Sequence, residues 1–338
     1  MSANQEPFEL NFYKWEKEFK DKPYLRQPIG KAWEEYTWGQ VGDMARRLAS
    51  GLKSLNLREG AHIGIYSKNC REWIISDLAI VMAGYVSVPF FPSLNGKELS
   101  YIMDYGDVDA LFIGKIETWD EIKNDLPNEM PIIRFPKYDG CSSVTKGYEW
   151  HEFINSHDPI QNPHNPKLSD LWTIIFTSGT TGNPKGVMLN YQAIDGIKVV
   201  LDDPNNPLGI KHTGNNDFIS YLPLNHIFER VVIEWCSFRY GGTISFVESI
   251  ETFGQNLKDV QPHVFAAAPR VWTKLQMGIL SKFPQKRLDT LLKIPLLSSI
   301  LKKLIRKGLG FSKVRVTVSG SAPMPVELIE WFRKVGVY

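Results

Sequence analysis

The chain has 338 residues, 43% hydrophobic and 22% charged, an ordinary globular composition long enough for one large or two medium domains. A formal net charge of +2 gives no general attraction to nucleic acid. Cys70, Cys141 and Cys236 lie far apart with no C-x-x-C spacing, which argues against a disulfide framework or zinc site and for a reducing compartment.

Residues 1–35 are polar and aromatic without a clear period. The N-terminal stretch has no apolar core of a signal peptide, so a cytoplasmic location is expected. From Tyr36, with Thr37 or Asp43 as cap, Val41, Met44, Ala45, Leu48, Leu52 and Leu55 recur at helical spacing. Gly60 leads into a strand at His62–Tyr66, Ser67–Trp73 opens a helix, and Val86–Val88 reads as the next strand. Leu94–Tyr105 and Ala110–Ile113 repeat the helix–strand step, which predicts βαβ units and a mostly parallel sheet. Trp73–Pro92 approaches membrane-spanning length, but Asp77 lies inside it and Gly84 and Pro89 divide it. A buried helix, Arg71–Ala83, followed by a buried strand, Tyr85–Phe90, is the better reading.

Asp139–Ser169 is rich in Gly, Ser, Asn and Pro and reads as a loop region. It is the candidate boundary between a first α/β subdomain, 1–165, and a second, 166–338. Next comes LWTIIFTSGTTGNPKGVMLN, Leu171–Asn190. Its apolar run stops at Thr177 and resumes at Val187, so a doubly buried strand precedes a loop of small and hydroxyl residues. Gly179, Gly182 and Gly186 permit positive φ and close backbone approach, and successive N–H groups in such a turn form an anion site. Thr177, Ser178, Thr180 and Thr181 add hydroxyls and Lys185 a mobile positive charge, which together make a phosphate cradle. The Walker spacing G-x-x-x-x-G-K-[ST] fails, because Lys185 is followed by Gly186 and the chain re-enters a strand rather than a helix. A flexible linker explains neither the lysine and proline in the loop nor the flanking strands.

Further on, Asn190 caps a helix over Tyr191–Leu201, and Asp202–Asn216 is another loop. DFISYLPLNHIFER, Asp217–Arg230, is a strand, a Pro-marked turn and a helix carrying His226, Phe228, Glu229 and Arg230. Gly241–Gly242 ends that helix before a strand at Ile244–Val247. QPHVFAAAPRVW, Gln261–Trp272, gives a strand and a helix started by Pro269. Val314–Val318 is a strand running into SGSAPMP, and a helix over Val326–Lys334 closes the chain.

TSGTTGNPKG resembles the signature loop of the AMP-forming adenylate enzymes, and HIFER and PRVW resemble their long-chain fatty acyl-CoA synthetase branch. The resemblance implies an α/β fold: the large N-terminal domain of the acyl-CoA synthetase/luciferase type, with mostly parallel sheets in layered subdomains. It implies ATP-dependent activation of a long-chain fatty acid to acyl-adenylate and then acyl-CoA, with ATP, Mg²⁺ and coenzyme A. It assigns Thr177, Ser178, Gly179, Thr180, Thr181, Gly182 and Lys185 to the phosphates, with Lys185 also catalytic, and Thr177 to Mg²⁺. His226 falls at the carboxylate region as a catalytic residue, and Gly320, Ser321, Ala322 and Pro323 at the adenine. Read without the resemblance, His226 is a helix cap or core residue and SGSAPMP an ordinary strand–helix connection. The family's Tyr-x-x-Thr-Glu motif, ribose-binding Asp, hinge and small C-terminal domain with its catalytic Lys are not matched before Tyr338. The chain is therefore expected to be a truncated large domain, defective alone, whose missing partner is that C-terminal domain. Glu229 and Arg230 are expected to form an exposed or interdomain ion pair. An aryl- or amino-acid adenylating enzyme and a non-catalytic nucleotide- or membrane-binding fragment remain the alternatives.

Between Lys282 and Arg315 lie ten basic residues and one acid, Asp289, a local net of +9, so the remainder of the chain stands at −7. Leu296, Leu297, Ile300, Leu301, Leu304 and Ile305 form an apolar stripe there, with Lys302, Lys303, Arg306 and Lys307 off it. A surface helix packed on the core and a basic amphipathic helix lying on a membrane over 286–307 both fit that pattern.

Overall fold

In the computed structural model of the protein, residues 10–30, 32–177, 184–203, 210–211 and 213–338 are described. The N-terminal stretch that showed no period is structural: α1 (Leu10–Glu18) buries Phe12 and Trp15. β1 (Pro23–Ile29) and β2 (Ala32–Thr37) then form an antiparallel ribbon. α2 (Trp38–Ser54) starts on a capping box, in which Thr37 and Gln40 each accept the other's backbone N–H through the side chain. Its buried face is the predicted stripe, with Val41, Ala45, Leu48 and Leu52 inside.

β3 (His62–Ser67), α3 (Arg71–Met82), β4 (Val86–Phe90), α4 (Gly96–Tyr105) and β5 (Val108–Gly114) realise the predicted alternation. α3 is buried on every side, and no helix of the described residues is long and apolar enough to cross a membrane. α5 (Trp119–Ile122) and β6 (Ile132–Arg134) follow. Part of the expected loop region is ordered as β7 (Tyr148–Glu149) and α6 (Trp150–Asn155), because Trp150, Phe153 and Ile154 bury their side chains. A six-residue helix is too short to show a period, so only its contacts reveal it.

β8 (Leu171–Thr177) and β9 (Lys185–Asn190) precede α7 (Tyr191–Leu201), which Asn190 caps by accepting the Ala193 N–H, as expected. β10 (Asp217–Ser220) leads to α8 (Ile227–Glu229), a π-helical stretch (Arg230–Trp235) and α9 (Cys236–Tyr240). β11 (Thr243–Phe246), α10 (Phe253–Val260), β12 (Val264–Ala267) and α11 (Pro269–Lys282) follow. Last come α12 (Gln285–Leu292), α13 (Pro295–Leu309), β13 (Val316–Ser319) and α14 (Val326–Lys334).

Among the described residues three sheets result. The largest has the order β7-β6-β5-β3-β4-β8-β9 and is parallel except for the antiparallel pair β8–β9 at its edge. Alternate residues face two separate cores: Ile63, Ile65, Ala110 and Phe112 pack with α2 and α3, whereas Tyr66, Leu111 and Ile113 pack with α4 and α5. Both faces are thus covered, which is why these strands read as continuous apolar runs. A second sheet runs β10-β11-β1-β2, and β12 and β13 form a parallel pair over a third core built with α11–α14. The sheets cross the boundary expected at 165/166 in both directions. β8 and β9 complete the sheet of β3–β7, and β1 pairs with β11. Pro and Gly mark a surface loop, but strand pairing is nonlocal and composition does not encode which sheet the next strand joins.

Candidate active site

β8 is buried from Trp172 to Phe176 and ends on an exposed Thr177. Its antiparallel partner β9 sets Lys185 directly opposite Thr177 and Gly186 opposite Phe176. Residues opposite one another in such a pair point to the same face with Cβ atoms about 5 Å apart. The Thr177 hydroxyl and the Lys185 ammonium therefore stand on one face at the mouth of the loop that joins the strands. Lys185 opens strand β9. Gly186 suits the tight pairing, since a Cβ there would lie 2.9 Å from Ile174 Cγ2. Ser178, Gly179, Thr180, Thr181 and Gly182 lie outside the described residues.

The turn after β10 is clamped from two sides. Asn69, in the loop before α3, donates through Nδ2 to Ser220 Oγ (2.8 Å) and Leu222 O (2.6 Å) and accepts the Leu224 N–H (3.0 Å). Glu229 accepts from the Ser220 hydroxyl and the Tyr221 N–H, both at 2.9 Å. Burial pushes this carboxyl up to about 8, against the lowering effect of those hydrogen bonds. Tyr221 Oη donates to Ala266 O at 2.8 Å and so ties the turn to β12. On this support sits His226, exposed at the start of α8, with Nδ1 accepting the Phe228 N–H at 3.1 Å. The cap role uses one nitrogen only. With Nδ1 an acceptor, the neutral ring carries its proton on Nε2, which is left to donate outward.

Arg230 overturns the exposed or interdomain ion pair expected between it and Glu229. It is fully buried and does not pair with Glu229. Nη2 donates to Asp77 of α3 (2.6 Å), Nε to Glu234 (2.8 Å) and Nη1 to Thr173 of β8 (2.8 Å). The guanidinium also lies 4.1 Å from the Trp172 ring centroid and 5.3 Å from that of Trp73. Burial, then the neighbouring Asp77, pushes the Glu234 carboxyl up, and the Arg230 guanidinium opposes that rise. This cluster fastens the histidine segment to β8, the strand that ends at Thr177. Neither Asn69 nor the joining of Asp77 and Thr173 to Arg230 had a sequence signal, because those partners lie far away in the chain; only the Arg230–Glu234 pair is local.

β13 runs parallel to β12 with Ser319 opposite Ala267, then leaves the sheet in an exposed turn. Ser321 has φ +67°, uncommon for a residue other than glycine. At Gly320 a Cβ would lie 2.3 Å from Cε2 of Phe228, so only glycine lets that ring seat on the turn. This contact brings the His226 helix and the Gly320–Pro323 turn together. Behind the turn a cavity of about 190 Å³, lined by Trp272, Thr317, Ser319, Met324 and Phe332, is below the size of ordinary ligand pockets. A larger hollow of about 730 Å³ carries Asp104, Asp107, Asp125 and Glu129, a lining that repels phosphate, and none of the expected site residues. The exposed turn and hairpin mouth, not these hollows, are the candidate site.

The pattern of the AMP-binding enzyme family matches residues 12–337. The chain belongs to the AMP-binding enzyme family. It is 28% identical to long chain acyl-CoA synthetase 4 of Arabidopsis thaliana over 351 aligned residues, covering 91% of this chain and 51% of that protein. It is 30% identical to long-chain-fatty-acid–CoA ligase 5 of Rattus norvegicus, covering 89% of this chain and 49% of that one. The chain thus spans about half the length of the curated relatives it matches. Among solved structures, the anthranilate CoA ligase AuaEII in complex with anthranoyl-AMP matches with a TM-score of 0.77 at 19% identity, over 100% of this chain and 59% of its own. That likeness establishes the adenylation-domain fold expected from the sequence.

Proposed function

We propose that the chain carries the adenylate-forming site of an AMP-forming ligase whose acid is a long-chain fatty acid. A carboxylate oxygen attacks the α-phosphorus of ATP, the new P–O bond forms as the bond to pyrophosphate breaks, and the thiol of coenzyme A then displaces AMP from the acyl carbon. The observation that carries the reading is the pairing of Thr177 with Lys185 at the mouth of a glycine-, serine- and threonine-rich loop. Lys185 meets the charge that grows on the leaving phosphates. Thr177 offers one hydroxyl oxygen, which suits Mg²⁺, an ion that ordinarily takes one or two protein oxygens alongside phosphate and water. When bound, that ion would neutralise phosphate charge. His226 donates from Nε2 to the carboxylate region and orients the nucleophile. The Gly320–Pro323 turn offers backbone polar groups to the adenine edge.

The fatty-acid assignment is supported by the names of the sequence relatives together with HIFER and PRVW. The test is acid-dependent ATP–pyrophosphate exchange with acids of increasing length, beside equilibrium binding of MgATP. Exchange that peaks at long acids supports both chemistry and substrate. Exchange with aryl or amino acids only keeps the chemistry and removes the fatty acid. MgATP binding with no exchange in this chain, restored in a longer gene product, places the remaining catalytic groups outside these residues. No binding in either overturns the site.

A further inference from the structure

The pair α12–α13 leaves an apolar face uncovered amid unbalanced positive charge. Of the six stripe residues, Leu301 and Ile305 are buried in the third core. Leu296 is 75% exposed, Leu304 56%, Ile300 51% and Leu297 42%, and Ile294 at the junction of the helices is 46% exposed. At 3.6 residues per turn these four residues of α13 span an arc of about 100° beside the buried pair. Lys303 and Lys307 rise from or beside that arc and Lys293 precedes the helix, all three exposed. Arg306 does not belong to this rim: it turns inward and donates to Phe311 O, Val314 O and Gly336 O. Asp289, the one acid between Lys282 and Arg315, is held by Lys334 and Gln285, with Lys293 nearby, so one carboxylate stands against ten basic residues of the segment.

We propose that this face docks on an anionic lipid bilayer. Leu296, Leu297, Ile300 and Leu304 enter the boundary between headgroups and acyl chains, and Lys293, Lys303 and Lys307 meet the lipid phosphates. Charge selects this occupant. A second copy would set a segment of +9 against another of +9, whereas an anionic surface attracts this segment and repels the remaining −7 of the chain, which fixes the orientation. The proposal holds whatever acid the enzyme activates, and its readout is partition rather than turnover.

The experiment is co-sedimentation with vesicles of phosphatidylcholine alone and of equal parts phosphatidylcholine and phosphatidylglycerol. Binding is expected to the mixed vesicles only, and to fall as salt shortens the screening length from about 10 Å at 0.1 M to about 3 Å at 1 M. The triple variant Lys293→Ser, Lys303→Ser, Lys307→Ser should lower partition about five-fold per lysine. The triple variant Leu296→Ser, Ile300→Ser, Leu304→Ser should abolish it, with an unchanged thermal midpoint because these side chains are more than half exposed. Equal binding of both variants and the parent overturns the proposal, as does equal binding to both vesicle types. Leucine-dependent dimerisation by light scattering without vesicles would assign the face to a second copy and overturn it too.

Discussion

The molecule inverts the usual distribution of charge in two places, and the inversions are resolved differently. Inside, Asp77, Arg230 and Glu234 occupy the core beneath β8, where apolar residues belong. Outside, Leu296, Ile300 and Leu304 occupy a helix face where charge belongs. The interior group is answered within the chain by carboxylates, the Thr173 hydroxyl and two indoles, and it joins α3, β8 and the helix after His226. The exterior group has no cover among the described residues. Buried polarity here belongs to the scaffold of the candidate site, and the exposed apolarity is the face proposed to dock on a bilayer.

The largest effect should come from breaking the interior group. Arg230→Met leaves the buried acids Asp77 and Glu234 without their cation and should cost about 3–5 kcal/mol in urea unfolding. A loss below about 1 kcal/mol would mean that the cluster does not hold the segment. An exposed cation with a ligand to meet should behave differently. Lys185→Ala should reduce MgATP binding roughly ten- to a hundred-fold, the worth of a charge-assisted hydrogen bond, and leave the thermal midpoint in place. A fall in midpoint with unchanged binding would make Lys185 a structural residue.

The buried acid Glu229 sharpens the comparison through pH. Its folded value, about 8, lies above the unfolded 4.5, so the folded state binds the extra proton between those limits. Its contribution is fully present below about 4.5 and is lost as pH rises to about 8, by up to about 1.4 kcal/mol per pH unit. Glu229→Gln should flatten that descent in unfolding measured across pH; an unaltered slope would mean that the carboxyl is ionised throughout. At the site, Gly320→Ala pushes a methyl into Phe228 and should cost about 1–3 kcal/mol and weaken nucleotide binding, with partial recovery in the double variant with Phe228→Leu. No recovery would put the strain elsewhere. The smallest effect belongs to the exterior: Ile300→Ser should change stability by no more than about 0.5 kcal/mol. A larger loss would show that this face is covered within the protein.

Much of this was legible in advance because it is local. The stripe of α2, the cap at Asn190, the buried run of β8 and the Pro-started α11 each follow from residues a few positions apart. The loop motif and the family follow from contiguous residues as well. Short elements held by single aromatic anchors, such as α6, left no period to read.

The sequence by itself determined the α/β alternation, the family and the identity of the residues at the hairpin, the histidine turn and the Gly320 turn, since each is written in one continuous stretch. Only the tertiary structure decided that Thr177 faces Lys185, that Phe228 rests on Gly320, that Arg230 lies buried between Asp77 and Glu234, and that Leu301 and Ile305 face inward while Leu296 and Ile300 do not. Those facts depend on which elements meet. Meeting is fixed by nonlocal packing and by the cost of burying a charge without a partner, and no window of sequence contains it.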